Sequence, residues 1–334
     1  MTCNKHVGLK ALCNKTGHCV KMEVFLLVVF IINTVLLTQT TAYIRPIIGV
    51  IAQKSFFKQG DTGIPADYIK WIESAGGGVV PILDNQPEEY YEKMFTYTNG
   101  VLLPGGGVDL FTSGYANASR YFYNMALRAY DKGDYYPVWG TCLGFQELST
   151  LIAGVLVTTD ARVWDQSLPL NISKDYKNSR MFGNLPPDVK TDLMKKNVTP
   201  NFHSYGVTVK TYNSNSKLRS FFKVLSINIA SNGEEFLSSV EGYKYPVYGL
   251  QWHPEKSNFL WNMKYQGIAH DFAAIRVSQH FANFFISEAR KSKHTFPSVE
   301  LEAKSLINNF PVWYFADSTF EEMYLFNSTN GMSV

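Results

Sequence analysis

The sequence predicts an α/β fold, a mostly parallel β-sheet covered by α-helices, and three observations carry that expectation. Ile47-Ile48-Gly49-Val50-Ile51-Ala52 is an unbroken apolar run, the pattern of a strand buried on both faces rather than one alternating between core and solvent. Strand-like and helix-like segments then alternate as far as residue 154, as they do where each strand is followed by a crossover helix. The chain also has enough apolar material, 46% hydrophobic and 15% aromatic over 334 residues, to fill a large core.

The elements follow in order. After the first strand, Pro65 suits a first helical turn, where its missing amide proton costs nothing. Tyr68, Trp71, Ile72 and Ala75 then recur at helical spacing until Gly76-Gly77-Gly78 ends the helix. Val79-Val80-Pro81-Ile82 reads as a second strand, and Gly100-Val101-Leu102-Leu103 as a third that runs straight into Pro104-Gly105-Gly106-Gly107. From Tyr115 to Lys132, Phe122, Met125, Ala126 and Ala129 form one helical face, with Gly133 at the position of a C-cap. Pro137-Val138-Trp139 begins a fourth strand that breaks at Gly140-Thr141-Cys142-Leu143-Gly144 and resumes as a helix. Residues 157 to 245 mix polar turns such as Asn213-Ser214-Asn215-Ser216 with short β-branched or aromatic runs. They are expected to form antiparallel strands in an insertion or at a sheet edge. Val247 to Trp252 is the last strand, with Tyr248, Leu250 and Trp252 on one face, and an amphipathic helix follows through Phe272, Ile275, Phe281, Phe284 and Phe285. No linker rich in Pro, Gly or Ser divides the chain, and no internal repeat occurs.

Residues 1–42 are expected to be an N-terminal extension and signal peptide, leaving 43–334 as a single domain. Val24 to Leu37 is an almost unbroken apolar run of 14, shorter than the roughly 20 residues of a spanning helix. Thr38-Gln39-Thr40-Thr41-Ala42 then supplies the small residues that a signal peptidase reads. A cleaved signal with no stable membrane anchor is expected, an uncleaved signal anchor being the alternative, and Met22, preceded by Lys5, Lys10, Lys15 and Lys21, is the expected initiator. Without this leader the chain carries 27 basic and 27 acidic side chains, so its formal charge of +3 belongs to the leader and nothing points to nucleic acid. Cys142 becomes the lone cysteine, a liability in an oxidising compartment that chemistry would explain, although a buried apolar thiol is the commoner state of a lone cysteine. Behind a signal sequence, the sequons at Asn117, Asn171, Asn197 and Asn327 become candidate glycosylation sites.

Gly140-x-Cys142-x-Gly144 has the spacing of a nucleophile elbow, where small neighbours tolerate a strained turn and the next amide faces an oxyanion. A thiol attacks as thiolate, so an imidazole must take its proton. His253, at the carboxyl end of the last strand, is the candidate, and Glu255 shares a face with it in extended chain and would orient the ring. Leu143, and Gly106 or Gly107 from the glycine loop, are the candidate oxyanion donors. The ordinary readings stand beside these. His253-x-Glu255 could be half of a metal site, but five histidines and no cysteine pair make a poor ligand set, and the glycine loop lacks a phosphate-binding Gly-Lys-Ser/Thr. Neither metal nor cofactor is expected. By default His203 is a structural or surface histidine.

From Pro46-Ile47-Ile48-Gly49 through Leu103-Pro104-Gly105-Gly106, Trp139 to Phe145 and Tyr245 to Lys256, and almost to the C-terminus, the chain closely resembles the gamma-glutamyl hydrolase family of the class I glutamine amidotransferase-like superfamily. That resemblance implies a flavodoxin-like three-layer α-β-α sandwich around a mostly parallel central sheet, and a cysteine peptidase acting on pteroylpoly-gamma-glutamates through an acyl-enzyme. It implies Cys142 as nucleophile, His253 as base and acid, Glu255 as orienting acid, and Tyr68 and His203 in the substrate cleft. It also implies a lysosomal or secreted homodimer. Arg180 is a further candidate, as a cation for a substrate carboxylate, against the equal alternative of a solvated surface arginine. Gln146 stands where relatives carry an acid, and Gly107 where they carry serine. Two other functions remain open: a glutaminase-type amidotransferase, which would release ammonia from glutamine, and a catalytically silent secreted binding protein of the same fold.

Overall fold

The computed structural model describes residues 45–316 and 318–327, together with two short strands near the N-terminus. The chain divides into two compact units, Met1–Arg45 and Pro46–Val334. In the first, Leu12–Cys13 pairs antiparallel with Cys19–Val20. The expected signal sequence, with its apolar run, lies outside the described residues.

The second unit opens with β1 (Ile47–Ile51), whose five residues are all buried. β2 (Gln53–Lys54) and β3 (Thr62–Pro65) follow, and Pro65 is the N-cap of α1 (Ala66–Ser74), which stops before Gly76 at a φ of +83°. β4 (Gly78–Ile82), α2 (Glu88–Tyr97), β5 (Gly100–Leu103), α3 (Gly114–Asp131), β6 (Val138–Thr141) and α4 (Leu143–Ala153) complete the alternating half. The Ser113 hydroxyl caps α3 by accepting from the Ala116 amide, and Gly133 turns the chain beyond it at a φ of +84°.

In the middle region β7 (Thr159–Leu168), β8 (Asn171–Ile172), α5 (Pro187–Lys195), β9 (Thr199–Gly206), α6 (Val209–Ser214), α7 (Ser216–Phe221), β10 (Phe222–Ile229) and β11 (Glu235–Gly242) follow one another. The chain then returns through β12 (Val247–Leu250), α8 (Lys256–Phe259), α9 (Phe272–Ala289), α10 (Val299–Ser305), β13 (Val312–Tyr314) and β14 (Glu322–Phe326).

The central sheet has the order β8-β10-β11-β12-β6-β5-β1-β4. Its four pairings from β12 to β4 are parallel, and β8, β10 and β11 extend it antiparallel from the β12 edge. The expected parallel sheet with an antiparallel edge is therefore present. β7 and β9 pair with each other in a separate ribbon.

Both faces of the parallel strands are packed, and the side-chain period of two assigns them. Ile48 and Val50 join one core with Trp71, Trp139, Phe281 and Phe285, while Ile47 and Ile51 join the other with Phe95, Phe122, Phe145 and Leu148. Helices α1 and α9 thus cover one face and α2, α3 and α4 the opposite one, which makes three layers. Among the described residues no helix is long and apolar enough to cross a membrane.

Trp139 on β6 is wedged between Trp71 of α1 and Phe285 of α9, with ring centroids 5.4 and 5.3 Å away. Phe285→Ala should therefore open a cavity at the centre of that layer and lower unfolding free energy by about 3–5 kcal/mol, read from the urea midpoint at unchanged m-value.

Candidate active site

Parallel neighbours end at the same edge of a sheet, and three adjacent strands use that edge to present the site. β5 delivers Pro104-Gly105-Gly106-Gly107, β6 delivers Cys142, and β12 leads to His253. The Cys142 amide donates to the Leu250 carbonyl at 2.7 Å, which ties the Cys142 turn to the strand that leads to His253.

Cys142 holds φ at +52° and ψ at −107°, a conformation that L-residues rarely adopt, so the turn is strained as an elbow requires. Its neighbours must be small for a measurable reason. A Cβ on Gly144 would lie 2.0 Å from the Leu103 carbonyl oxygen, and one on Gly140 would lie 2.6 Å from the Gly144 backbone. A Cβ on Gly105 would meet the Tyr68 hydroxyl at 2.7 Å, His253 Cε1 at 2.9 Å and Cys142 Cβ at 3.3 Å. One methyl-sized volume beside Gly105 therefore touches Cys142, His253 and Tyr68 together.

His253 is 3% exposed. Its Nδ1 lies 2.6 Å from Glu255 Oε1 and 3.2 Å from the Tyr68 hydroxyl, which also accepts from the Gly105 amide at 2.8 Å. A carboxylate on Nδ1 fixes the proton there, and Nε2, which has no partner, is left as the basic atom. Burial pushes the Cys142 thiol up to about 12, with the Glu255 charge adding to it, and burial followed by the Lys256 charge holds His253 well below the usual imidazole range. Burial thus biases both the thiol and the imidazole towards their neutral forms. Burial also raises Glu255 to about 7, against the opposing pull of Lys256.

A cleft of about 430 Å³ opens over Cys142, with Leu143, Gly106 and His203 in its lining and Phe111, Trp164 and Tyr205 as half-exposed aromatic walls. No hydrogen bond among the described residues uses the Gly106 amide. Leu143 begins α4, so no intrahelical carbonyl reaches its amide. Gln53 shapes the glycine loop by donating to the carbonyls of Pro104 and Gly105, and its amide fills the space a Gly106 Cβ would take. At Gly107 a Cβ meets nothing within 4 Å, so serine fits there equally. Gln146 uses its side-chain NH2 to reach the Tyr205 carbonyl at 2.7 Å and the Gln251 amide oxygen at 3.2 Å, bonds that an ionised glutamate cannot donate.

His203 lies in the cleft lining, but Tyr68 does not: it is fully buried behind the imidazole, because α1 packs beneath the sheet edge. Arg180 is placed elsewhere. Its guanidinium binds the carbonyls of Gly242, Lys244 and Tyr245 and lies over the Tyr248 ring, at the amino end of β12 and thus the opposite edge of the sheet from Cys142. A cation engaged with three carbonyls there clamps the β11–β12 turn and cannot meet a substrate in the cleft. The sequence reading also passed over Asp67, Gln53 and Lys256, whose spacing carries no motif; only their adjacency to Tyr68 and Glu255 marked two of them. Among the described residues no group of three His, Cys, Asp or Glu side chains is arranged to hold a metal ion.

The sequence profile of the peptidase C26 family matches residues 46–255. The chain belongs to that family. Gamma-glutamyl hydrolase of Rattus norvegicus is 46% identical over 287 residues, covering 85% of this chain and 90% of the relative. That of Homo sapiens is 44% identical over 289 residues with the same coverage. The solved structure of the glutaminase domain of Trypanosoma brucei CTPS with bound acivicin is 16% identical, with a TM-score of 0.47 over 75% of this chain and 96% of that one. Membership of the peptidase C26 family, among gamma-glutamyl hydrolases, makes this chain a hydrolase of the peptidase class.

Burial, and then the nearby His253, lowers the His203 imidazole to about 3. The unfolded chain takes up that proton near pH 6.5 and the folded chain does not, so His203 subtracts stability as pH falls from about 6.5 towards 3. Between pH 7 and 4.5 the wild type should lose about 2 kcal/mol more than His203→Gln, measured by urea unfolding at the two pH values.

Proposed function

We propose that this gamma-glutamyl peptidase hydrolyses the gamma-glutamyl bonds of pteroylpoly-gamma-glutamates, with Cys142 as nucleophile, His253 as base and acid, and Glu255 as orienting acid. The observation that carries it is the unpartnered Nε2 of His253 beside a strained Cys142 elbow, in a chain so similar to gamma-glutamyl hydrolases. As the substrate carbonyl approaches, the Cys142 proton passes to Nε2 while sulfur bonds to the carbonyl carbon, so no free thiolate has to be maintained. The oxygen's developing charge is met by the amides of Leu143 and Gly106. Nε2 then gives its proton to the departing amine as the C–N bond breaks. Water, deprotonated by the same nitrogen, attacks the thioester and releases the glutamate-terminated acid and the thiol.

A polyglutamate tail carries one α-carboxylate per residue, and Arg162 is placed to meet one. It lies over the Trp164 ring at 5.8 Å and its Nη1 is 3.4 Å from Ser204 Oγ, both of them in the cleft lining. We assign to it the carboxylate contact that Arg180 is too distant to make.

The reading extends to a secretory route, lysosomal or extracellular, with residues 1–42 removed and 43–334 as the working domain. Asn171, Asn197 and Asn327 are exposed and Asn117 is half-buried on α3, which suits glycan attachment at the first three more than at the last. The homodimer rests on the family resemblance alone.

The test is incubation of the purified protein with pteroyl-pentaglutamate, with products identified by mass. Shortened glutamate tails are expected, and Cys142→Ala should lower the rate by about 10³-fold or more. Ammonia released from glutamine with the pentaglutamate intact would move the chain to the amidotransferase reading, and inactivity on both substrates to a binding protein. Arg162→Ala should raise KM about tenfold with kcat within about twofold.

A further inference from the structure

The imidazole and its carboxylate sit against a second buried charge cluster that the chemistry above does not use. Lys256 follows Glu255 at the start of α8 and is 1% exposed. Its Nζ has no hydrogen-bond partner and lies 3.7 Å from Asp67 Oδ2. The rings of Phe202 and Phe320, with centroids 5.3 and 5.1 Å away, wall it in. Asp67 uses Oδ1 to accept from the Tyr68 amide and leaves Oδ2 without a hydrogen bond, and Glu255 Oε2 is likewise unpaired. The ammonium thus lies against Asp67, and its charge also opposes protonation of Glu255, the residue before it in the chain.

We propose that Lys256 is a positioning cation for the catalytic histidine, shared between Asp67 and Glu255, which keeps Glu255 ionised and so sets the lowest pH at which the imidazole is held and basic. This rests on the reading of His253 and Glu255 as the catalytic pair. The Glu255 charge raises the proton affinity of Asp67, and a single ammonium lowers that of both carboxylates. Burial, offset by Lys256 and reinforced by Glu255, holds Asp67 at about 6. The other ionisable groups around the cluster are Tyr68 on α1, Cys142 at the elbow and His203 on β9. Across a cavity of about 300 Å³ lined by Asp67 and Phe320 lie Lys70, Glu321 and Glu322, of which Lys70 and Glu322 pair with each other. Those outer charges are accessible to solvent and screened; Lys256 is not.

The sign of each substitution follows. Loss of Lys256 raises the proton affinity of Glu255 and His253 together. Loss of the Asp67 charge lowers both, while asparagine still accepts from the Tyr68 amide. The test is the pH dependence of kcat/KM on pteroyl-pentaglutamate, alongside that of Cys142 alkylation by iodoacetamide, which reads the thiol–imidazole pair whatever the substrate is. In Lys256→Met the acid limb should move up by about one pH unit, and in Asp67→Asn it should move down by about half a unit or more. Lys256→Arg should stay within about 0.3 units of wild type. Acid limbs that do not move, or that move the same way in both variants, overturn the proposal. If Lys256→Met does not fold, the Asp67→Asn and Lys256→Arg limbs decide it. If the pentaglutamate is not cleaved, the substrate reading fails and the alkylation profile still decides the role of Lys256.

Discussion

The approach of α4 to the end of β5 is the constraint on which the site depends. Gly144 sits where any side chain would penetrate the Leu103 carbonyl, so the helix can begin directly against the neighbouring strand and Cys142 can occupy its strained turn. Because β5, β6 and β12 are parallel neighbours, that one close contact sets the glycine loop, Cys142 and His253 at a common edge. A sheet with any of the three strands reversed would send one of these groups to the opposite edge, where Arg180 lies.

Burial then does most of the chemical tuning. Cys142, His203, His253, Glu255 and Asp67 are each less than 7% exposed, and desolvation is the leading influence on all five. Each is pushed towards its neutral form. Specific charges and hydrogen bonds oppose it: the Lys256 ammonium lowers Asp67, Glu255 and Cys142, the Tyr68 hydroxyl lowers Glu255, and the Asp67 charge raises His253. A site so dry has little dielectric screening, so a single misplaced charge changes several proton affinities together.

The parallel strands were legible because a strand covered on both faces must be apolar at every position, and Ile47–Ile51 and Gly100–Leu103 have no competing reading. Glycines at positive φ marked two helix ends, at Gly76 and Gly133. α2 went unread because Glu88, Glu89, Glu92 and Lys93 face water and only Tyr91, Met94 and Phe95 are buried, too few for a strong periodic signal. β13 and β14 escaped for another reason: β14 pairs with β3, more than 250 residues away, and every residue of β13 is exposed. At the site, Cys142, His253 and Glu255 could be read because an elbow and an i, i+2 pair are local patterns. The displacement of Arg180 could not, since the edge of the sheet a loop occupies depends on strand order. Asp67 and Lys256 meet only once α1 and α8 pack together, which no spacing along the chain records.

The high proton affinity of the Cys142 thiol bears on the protein's endurance. Disulfide exchange and peroxide both consume thiolate, and a sulfur that is 6% exposed and that burial biases towards its protonated form offers them little. An ion-paired cysteine would be permanently armed and steadily lost in oxidising surroundings. Here burial favours the protonated sulfur, so the same desolvation that shapes the cleft also slows the loss of this buried thiol to oxidants.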